Sequence, residues 1–354
     1  MVLWVDKYRP NQLSKLTFHP ELSSRLSAMA TDGEIPHLLF YGPSGSGKKT
    51  RISCLLREMY GPGSEKLRLE HRSFKTPSNK VIEVNTISSN YHIEMNPGDC
   101  GIYDRYVVGE IIKEIAQNHP LHATGKAAFK VVVLNEVDKL SKQAQAGLRR
   151  TMEKYTSVCR LILCCTNQSK VIEPLRSRCL GIRVPSPTPD AIVSVLGEIA
   201  RKESYDCEPA FLLKVAVASG RNVRRATLML EASRVSSSGG RGTASSEVLK
   251  ADWENYVVTL AKEITQEQSP ARLLAAREKL YELIINCIPS DVIIKCLTAE
   301  LMKNVDDTLK HEIIQWAAFY EHRLCQGSKD IFHLEAFVAK FMSIYKLYLT
   351  NLFG

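Results

Sequence analysis

The stretch His37-Leu38-Leu39-Phe40-Tyr41-Gly42-Pro43-Ser44-Gly45-Ser46-Gly47-Lys48-Lys49-Thr50 decides how the first half of the chain is read. A short apolar run leads into a glycine-rich turn and then into helix-forming sequence, the order of a strand, a phosphate-binding loop and a helix. Glycines let backbone N–H groups curl around phosphate oxygens, the helix adds its N-terminal partial positive charge, and Lys48 can reach the terminal phosphates. Gly42 to Thr50 therefore form a nucleotide cradle. One position departs from the pattern: Lys49 stands where a hydroxyl would ligate magnesium, and Thr50 comes one residue too late. The expectation is a site that binds a nucleotide, ATP or ADP, and hydrolyses it poorly.

The second half of such a site is an apolar strand ending in acidic residues. Val131-Val132-Val133-Leu134-Asn135-Glu136-Val137-Asp138 fits, except that Asn135 occupies the position of the metal-shell Asp. An amide carries no charge, so the two departures weaken magnesium binding together. The Lys49 ammonium near the β- and γ-phosphates could replace part of the metal's charge. Glu136 remains, either as a weak general base or as a hydrogen-bonding switch at the strand end.

Around these motifs the chain alternates β-rich runs and helical segments from residue 1 to 184, predicting an α/β domain with a largely parallel sheet. Strands are expected at His37–Tyr41, Val81–Ile87, Lys130–Leu134, Arg160–Cys165 and Gly181–Val184, the third and fourth buried on both faces. Pro185, Pro187 and Pro189 break the pattern, and helical periodicity over 185–235 predicts a small helical domain. Residues 236–250, with Ser236-Ser237-Ser238-Gly239-Gly240-Arg241-Gly242-Thr243, read as a flexible linker. The remainder, 251–354, reads as all helical. Leu309, Ile313, Trp316, Tyr320 and Leu324 form one stripe, and Leu334, Val338, Phe341, Tyr345 and Tyr348 a second. Phe337 and Ile344 widen the second stripe beyond what one partner helix covers, so an internal core and packing against another chain are both open readings.

The 354 residues suit two or three domains, and 44% hydrophobic with 24% charged residues is ordinary for a folded protein. A net charge of +9 favours a polyanionic partner. Ten cysteines without a Cys-x-x-Cys argue against a zinc site, and with no signal peptide visible they suggest a reducing compartment. No apolar run approaches the roughly 20 residues that cross a bilayer.

The joint pattern is more specific than any single motif. Leu3-Trp4-Val5-Asp6-Lys7-Tyr8-Arg9-Pro10, the loop at 42–50, Asn135-Glu136-Val137-Asp138, Leu148-Arg149-Arg150-Thr151-Met152-Glu153 and Ser177-Arg178-Cys179 occur in that order. Together they resemble the small subunits of replication factor C, the sliding-clamp loader among the AAA+ ATPases. Tyr320-Glu321-His322-Arg323 and Phe332-His333-Leu334-Glu335-Ala336-Phe337 extend the resemblance into the C-terminal collar.

The resemblance implies a P-loop AAA+ domain, a helical lid and an all-α collar. It also implies a nuclear assembly with four related subunits that loads the ring-shaped clamp, PCNA, onto primer-template DNA in replication and repair. Tyr8, Arg9 and Pro10 would lie along the adenine. Arg224 would be the lid arginine, with Arg225 beside it. Thr166 takes the place of the usual sensor Asn at the end of the fourth strand, and Asn167 follows it. Arg178 would project into the neighbour's nucleotide site and act in trans, stabilising charge on the transferring phosphoryl group; the plain alternative is an intramolecular salt bridge. Arg105, Lys113, Arg149 and Arg150 are candidate DNA-phosphate contacts, Arg149 and Arg150 alternatively packing against a subunit or lying on a solvated face. A rival reading is a self-sufficient DNA-dependent ATPase that recruits Thr50 and Asp138 as metal ligands.

Overall fold

A computed structural model of the chain describes residues 2–75, 81–117, 129–156, 158–236, 242–243, 248–327 and 329–353. The chain divides into two compact units, Met1–Val248 and Leu249–Gly354. In the first, helices α1 (Trp4–Lys7) and α2 (Pro20–Asp32) precede strand β1 (Leu38–Tyr41) and helix α3 (Lys48–Tyr60). Then come β2 (Arg68–Lys75), β3 (Val81–Ser88), β4 (His92–Met95), α4 (Asp104–Gln117) and β5 (Lys130–Leu134). The α/β part closes with α5 (Lys142–Tyr155), β6 (Cys159–Cys165), α6 (Glu173–Arg176) and β7 (Leu180–Arg183).

The sheet runs in the order β2-β3-β4-β5-β6-β1-β7. Neighbours from β4 through β7 pair parallel, whereas β2 with β3 and β3 with β4 pair antiparallel. Val81–Ile87 is a strand as expected, within β3, but it pairs antiparallel, and the fifth parallel strand is His92–Met95. Four residues interrupted by Glu94 are too short a run to announce themselves by period. The polar edge strand β2, Arg-Leu-Glu-His-Arg-Ser-Phe-Lys, was equally unread, because charge on an edge strand serves to block pairing with other chains and hides the β signal.

Alternation along β5 builds two cores. Val132 and Leu134 pack on one face with Ile111, Leu148 and other residues of α4 and α5. Val131 and Val133 pack on the opposite face with Leu26, Ile52 and Leu55 of α2 and α3. Both β5 and β6 are buried on two faces, as their apolar runs predict.

Three helices, α7 (Pro189–Lys202), α8 (Pro209–Ala218) and α9 (Val223–Ser236), close over their own core of Ile192, Leu196, Phe211, Val215 and Leu230. Trp4 joins that core, and its backbone N–H donates to Glu231 at 3.1 Å, so the N-terminal segment is anchored to the lid. Of the residues read as a linker, 237–241 and 244–247 lie outside the described residues. Gly242 does not behave as a free linker: it is buried, and its backbone bonds to Asp206 at 3.0 Å and Glu208 at 2.9 Å.

The second unit consists of α10 (Asp252–Gln266), α11 (Pro270–Ile285), α12 (Ser290–Leu301), α13 (Asp307–Gln326) and α14 (Asp330–Phe353). Leu309, Ile313, Leu334, Val338 and Phe341 are core residues, and Trp316, Tyr320, Leu324, Tyr345 and Tyr348 pack against them. Phe337 and Ile344 are also buried within the unit, so the widened stripe faces the unit's own core. Ile285, Phe332 and Leu347 remain more than half exposed.

Candidate nucleotide site

The loop after β1 takes its shape from left-handed glycines. Gly45 has φ 73° and Gly47 φ 85°, conformations that glycine adopts without a Cβ penalty. A Cβ on Gly45 would come within 1.8 Å of the Asn222 side chain, and Val223 N–H donates to Gly45 O at 3.3 Å. The start of α9 thus sits directly on the loop. Ser46 is buried and its hydroxyl donates to Pro43 O at 2.9 Å, which braces the turn from inside. Lys48 donates to Gly42 O at 2.6 Å and Pro43 O at 2.8 Å, and burial lowers its pKa from the usual lysine value.

A cavity of about 840 Å³ opens above this loop, a size suited to a mononucleotide. Ser44, Gly45, Gly47, Lys48, Lys49 and Thr50 line one wall, Tyr8, Arg9 and Pro10 another, and Val223, Arg224 and Thr227 the lid side. Arg224, and not Arg225, reaches it. Its floor includes Cys164 and Cys165, whose thiols burial holds protonated by raising their pKa to about 11 and about 12.

The N-terminal segment is fixed by contacts that its sequence did not reveal. Arg9 Nε donates to Thr50 Oγ1 at 3.3 Å, and Cys54 Sγ donates to Pro10 O at 3.3 Å. Tyr8 Oη and Lys7 Nζ both donate to Glu203, at 2.5 and 2.6 Å, and Arg234 donates to its other oxygen at 2.9 Å. Hydrogen bonds from Lys7 and Tyr8 hold the Glu203 carboxyl at a pKa of about 2. Beneath the loop, Arg51 is fully buried, donates to Phe18 O at 2.7 Å and stacks over the Phe18 ring. Nothing in the periodicity of α3 distinguishes Arg51 from a surface arginine.

At the end of β5, Asn135 is buried and Glu136 is exposed in the left-handed region at φ 53°, paired with Lys139 at 2.8 Å. Glu136 lines the cavity, whereas Asn135 stands behind it. Asn135 Nδ2 donates to Glu94 Oε1 at 2.6 Å, and the Lys49 ammonium lies 3.9 Å from that same oxygen. Asp138 Oδ2 accepts from the backbone N–H groups of Thr166 and Asn167 at 3.1 and 3.2 Å. Thr166 lines the cavity; Asn167 instead caps the next turn, its side chain accepting from Ser169 N–H at 2.9 Å.

The residues at the places where the fold would ordinarily hold magnesium depart from the usual set, and of the Asp138 carboxylate only Oδ2 is bonded, Oδ1 being buried without a partner. An ammonium occupies the hydroxyl position, an amide occupies the carboxylate position, and Asp138 Oδ2 is engaged by the backbone after β6.

Arg178 lies outside the cavity and is held within the chain: it donates to Glu153 at 2.8 Å through Nε and to Pro174 O at 2.7 Å through Nη1. Arg149 stands 3.8 Å from the same Glu153 oxygen. Arg150 and Arg105 are exposed, and Lys113 pairs loosely with Glu110 at 3.7 Å. Arg105 Cγ would meet a Cβ on Gly147 of α5 at 3.7 Å, so the start of α4 packs beside α5.

Comparison with known proteins explains this combination. The chain is 53% identical to replication factor C subunit 5 of Oryza sativa subsp. japonica, over 100% of both chains. It is also 53% identical to replication factor C subunit 3 of Homo sapiens, over 99% of this chain and 98% of the other. The chain belongs to the replication factor C subunit 3/5 family. It is therefore a clamp-loader subunit with a nucleotide-binding AAA+ domain. The replication factor C subunit 3 C-terminal domain family matches residues 253–349, and the RCF1/5-like AAA+ ATPase lid family matches 194–235. The family of the DNA polymerase III delta subunit matches 18–188. Among solved structures, the RuvB Holliday junction branch migration motor of Thermotoga maritima aligns with 77% of this chain and 85% of its own, at a TM-score of 0.51 and 16% identity. That likeness concerns the replication factor C fold alone. Among the described residues no helix is long and apolar enough to cross a membrane.

Proposed function

We propose that this replication factor C subunit works in the nucleus within a five-subunit loader that places the PCNA clamp on primer-template DNA during replication and repair. Its own site holds ATP or ADP and turns it over weakly or not at all. Its catalytic contribution is Arg178, offered in trans to the nucleotide of the adjacent subunit. The observation that carries this reading is the split between the two halves of the site. Phosphate-binding groups line the cavity, while Asn135 lies outside the lining and bonds to Glu94, and Asp138 Oδ2 accepts from the backbone after β6.

The rival reading, a self-sufficient ATPase using Thr50 and Asp138 on a metal, fits less well. Thr50 Oγ1 accepts from Arg9, and Asp138 Oδ2 is taken by two backbone N–H groups, which leaves Oδ1 alone to serve a metal. Arg105, Lys113, Arg149 and Arg150 are proposed to track DNA phosphates, a role supported by the exposure of Arg105, Arg149 and Arg150 and by the net charge of +9.

The test is DNA- and clamp-stimulated ATP hydrolysis by the reconstituted five-subunit complex, with Arg178→Ala and Lys48→Ala introduced separately in this chain. A large loss from Arg178→Ala with little from Lys48→Ala is expected, since an arginine supplied to a phosphoryl-transfer site is worth about 10³–10⁵ in turnover at that site. The reverse pattern would mean that this subunit's own site is the one turning over.

A further inference from the structure

We infer that Glu94 holds the Lys49 ammonium over the phosphates as a tethered monovalent cation, so that this site takes a nucleoside di- or triphosphate without a divalent ion. The inference rests on the reading above that the cavity binds a nucleotide. Glu94 lies on β4, opposite Val133 of β5 in a parallel register, and Asn135 N–H donates to Met95 O at 3.0 Å. Those backbone bonds put the side chains of Glu94 and Asn135 at the same strand edge, where Asn135 Nδ2 meets Glu94 Oε1 at 2.6 Å. Lys49 Nζ is 3.9 Å from that oxygen, and Lys49 alone of the three lines the cavity. The chain of contacts therefore runs from a buried amide, through a carboxylate, to a cation facing the ligand.

The residue types at 94 and 135 depend on each other. A carboxylate at 135 would stand against the Glu94 carboxylate, and two such charges in contact cannot both stay ionised. With an amide there, the Glu94 carboxylate meets a donor rather than a second carboxylate and is placed to hold Lys49. Asn135 Oδ1 is buried without a partner, so the strand end retains an acceptor but no negative charge of its own. The sequence of charges that a metal site uses, carboxylate then cation then phosphate, is preserved with an ammonium as the cation. The Lys49–Glu94 pair is partly exposed, so its consequence is orientation rather than stability.

The experiment measures binding of N-methylanthraniloyl-ADP to the full chain, in magnesium and in chelator. For the natural sequence the two affinities should agree within about threefold, a difference below about 0.7 kcal/mol. Lys49→Thr removes the cation, supplies a hydroxyl and leaves Glu94 facing the phosphates. It should weaken binding in chelator by at least about tenfold and recover in magnesium, becoming metal-dependent. Adding Glu94→Gln to Lys49→Thr should abolish that recovery, which a merely structural Glu94 would not do. Lys49→Met, with neither charge nor hydroxyl, should bind weakly in both conditions. A loss of about tenfold on chelation in the natural sequence, or undiminished magnesium recovery in the double variant, overturns the tethered cation and leaves the nucleotide site standing. No binding of the probe in either condition overturns both.

Discussion

Arg51 concentrates the physics of the loop in one side chain. It is fully buried, its guanidinium is bonded to Phe18 O and Ser46 O, and burial lowers its pKa to about 10, still far above neutral. Arg51→Ala removes the charge and leaves the Phe18 and Ser46 carbonyls without their donor. A loss of about 3–5 kcal/mol is expected in urea unfolding, with the loop disordered first. Arg51→Met removes the charge equally but keeps most of the volume, so it should cost less by leaving no large cavity. His37 makes a second prediction at this scale. Its Nδ1 accepts from Leu161 N–H at 3.0 Å, and burial beside Arg160 lowers its pKa from 6.5 to about 4. The unfolded chain binds the proton first, so stability is full above pH 6.5 and falls as pH drops toward 4. His37→Asn, whose amide oxygen can take the Nδ1 role, should flatten the urea midpoint across that window; an unchanged slope would place the titration elsewhere.

Among elements, the joint between the loop and α9 carries the lid. Gly45 at φ 73° leaves room for Asn222, whose Oδ1 caps α9 by accepting from Arg225 N–H at 3.1 Å. Gly45→Ala both strains the backbone and collides with that cap. It should weaken nucleotide binding by at least about tenfold while lowering stability by about 1–3 kcal/mol, read by fluorescent-ADP titration beside thermal unfolding. Glu203 ties the N-terminal segment to the lid, and its depressed pKa gives the opposite window from His37. Stability from Lys7, Tyr8 and Arg234 is complete above pH 4.5 and lost as pH falls toward 2, so Glu203→Gln should show a smaller drop in unfolding midpoint over that range. These joints define what the sequence could and could not convey. Gly42 to Lys48, β5 and β6 were legible because loop chemistry and apolar runs are local. Glu94, Glu203, Asn222 and Arg51 were not, because each acts through a contact across the fold that no period or motif encodes. Arg178 stands out by its motif, and its bond to Glu153 in the single chain is the intramolecular salt bridge that is the plain alternative to a role in trans.

For the whole molecule, the two units differ in what holds them. The second, Leu249–Gly354, has its own core in which Leu260, Leu280, Leu297, Leu334 and Phe337 are all at most 1% exposed. A continuous core of that kind is what an independently folding domain requires. Residues 249–354 produced alone should therefore be helical by circular dichroism and unfold in one cooperative transition, with no binding of fluorescent ADP. Phe337→Ala removes a buried ring and leaves a cavity, for which a loss of about 3–5 kcal/mol is expected in that fragment. In the full chain the same substitution should lower one unfolding transition and leave nucleotide affinity within about twofold of the parent, since every residue lining the cavity belongs to the first unit. Assembly is where the change should be felt. Ile285, Phe332 and Leu347 are exposed on this unit, an apolar surface that a subunit of a larger complex would cover, and a collar unfolded by Phe337→Ala cannot present it. Co-purification of the variant with its partner subunits should fall while its own nucleotide binding persists. Joint loss of both would mean that the collar supports the nucleotide unit directly, and that the division of labour argued from the two cores is wrong.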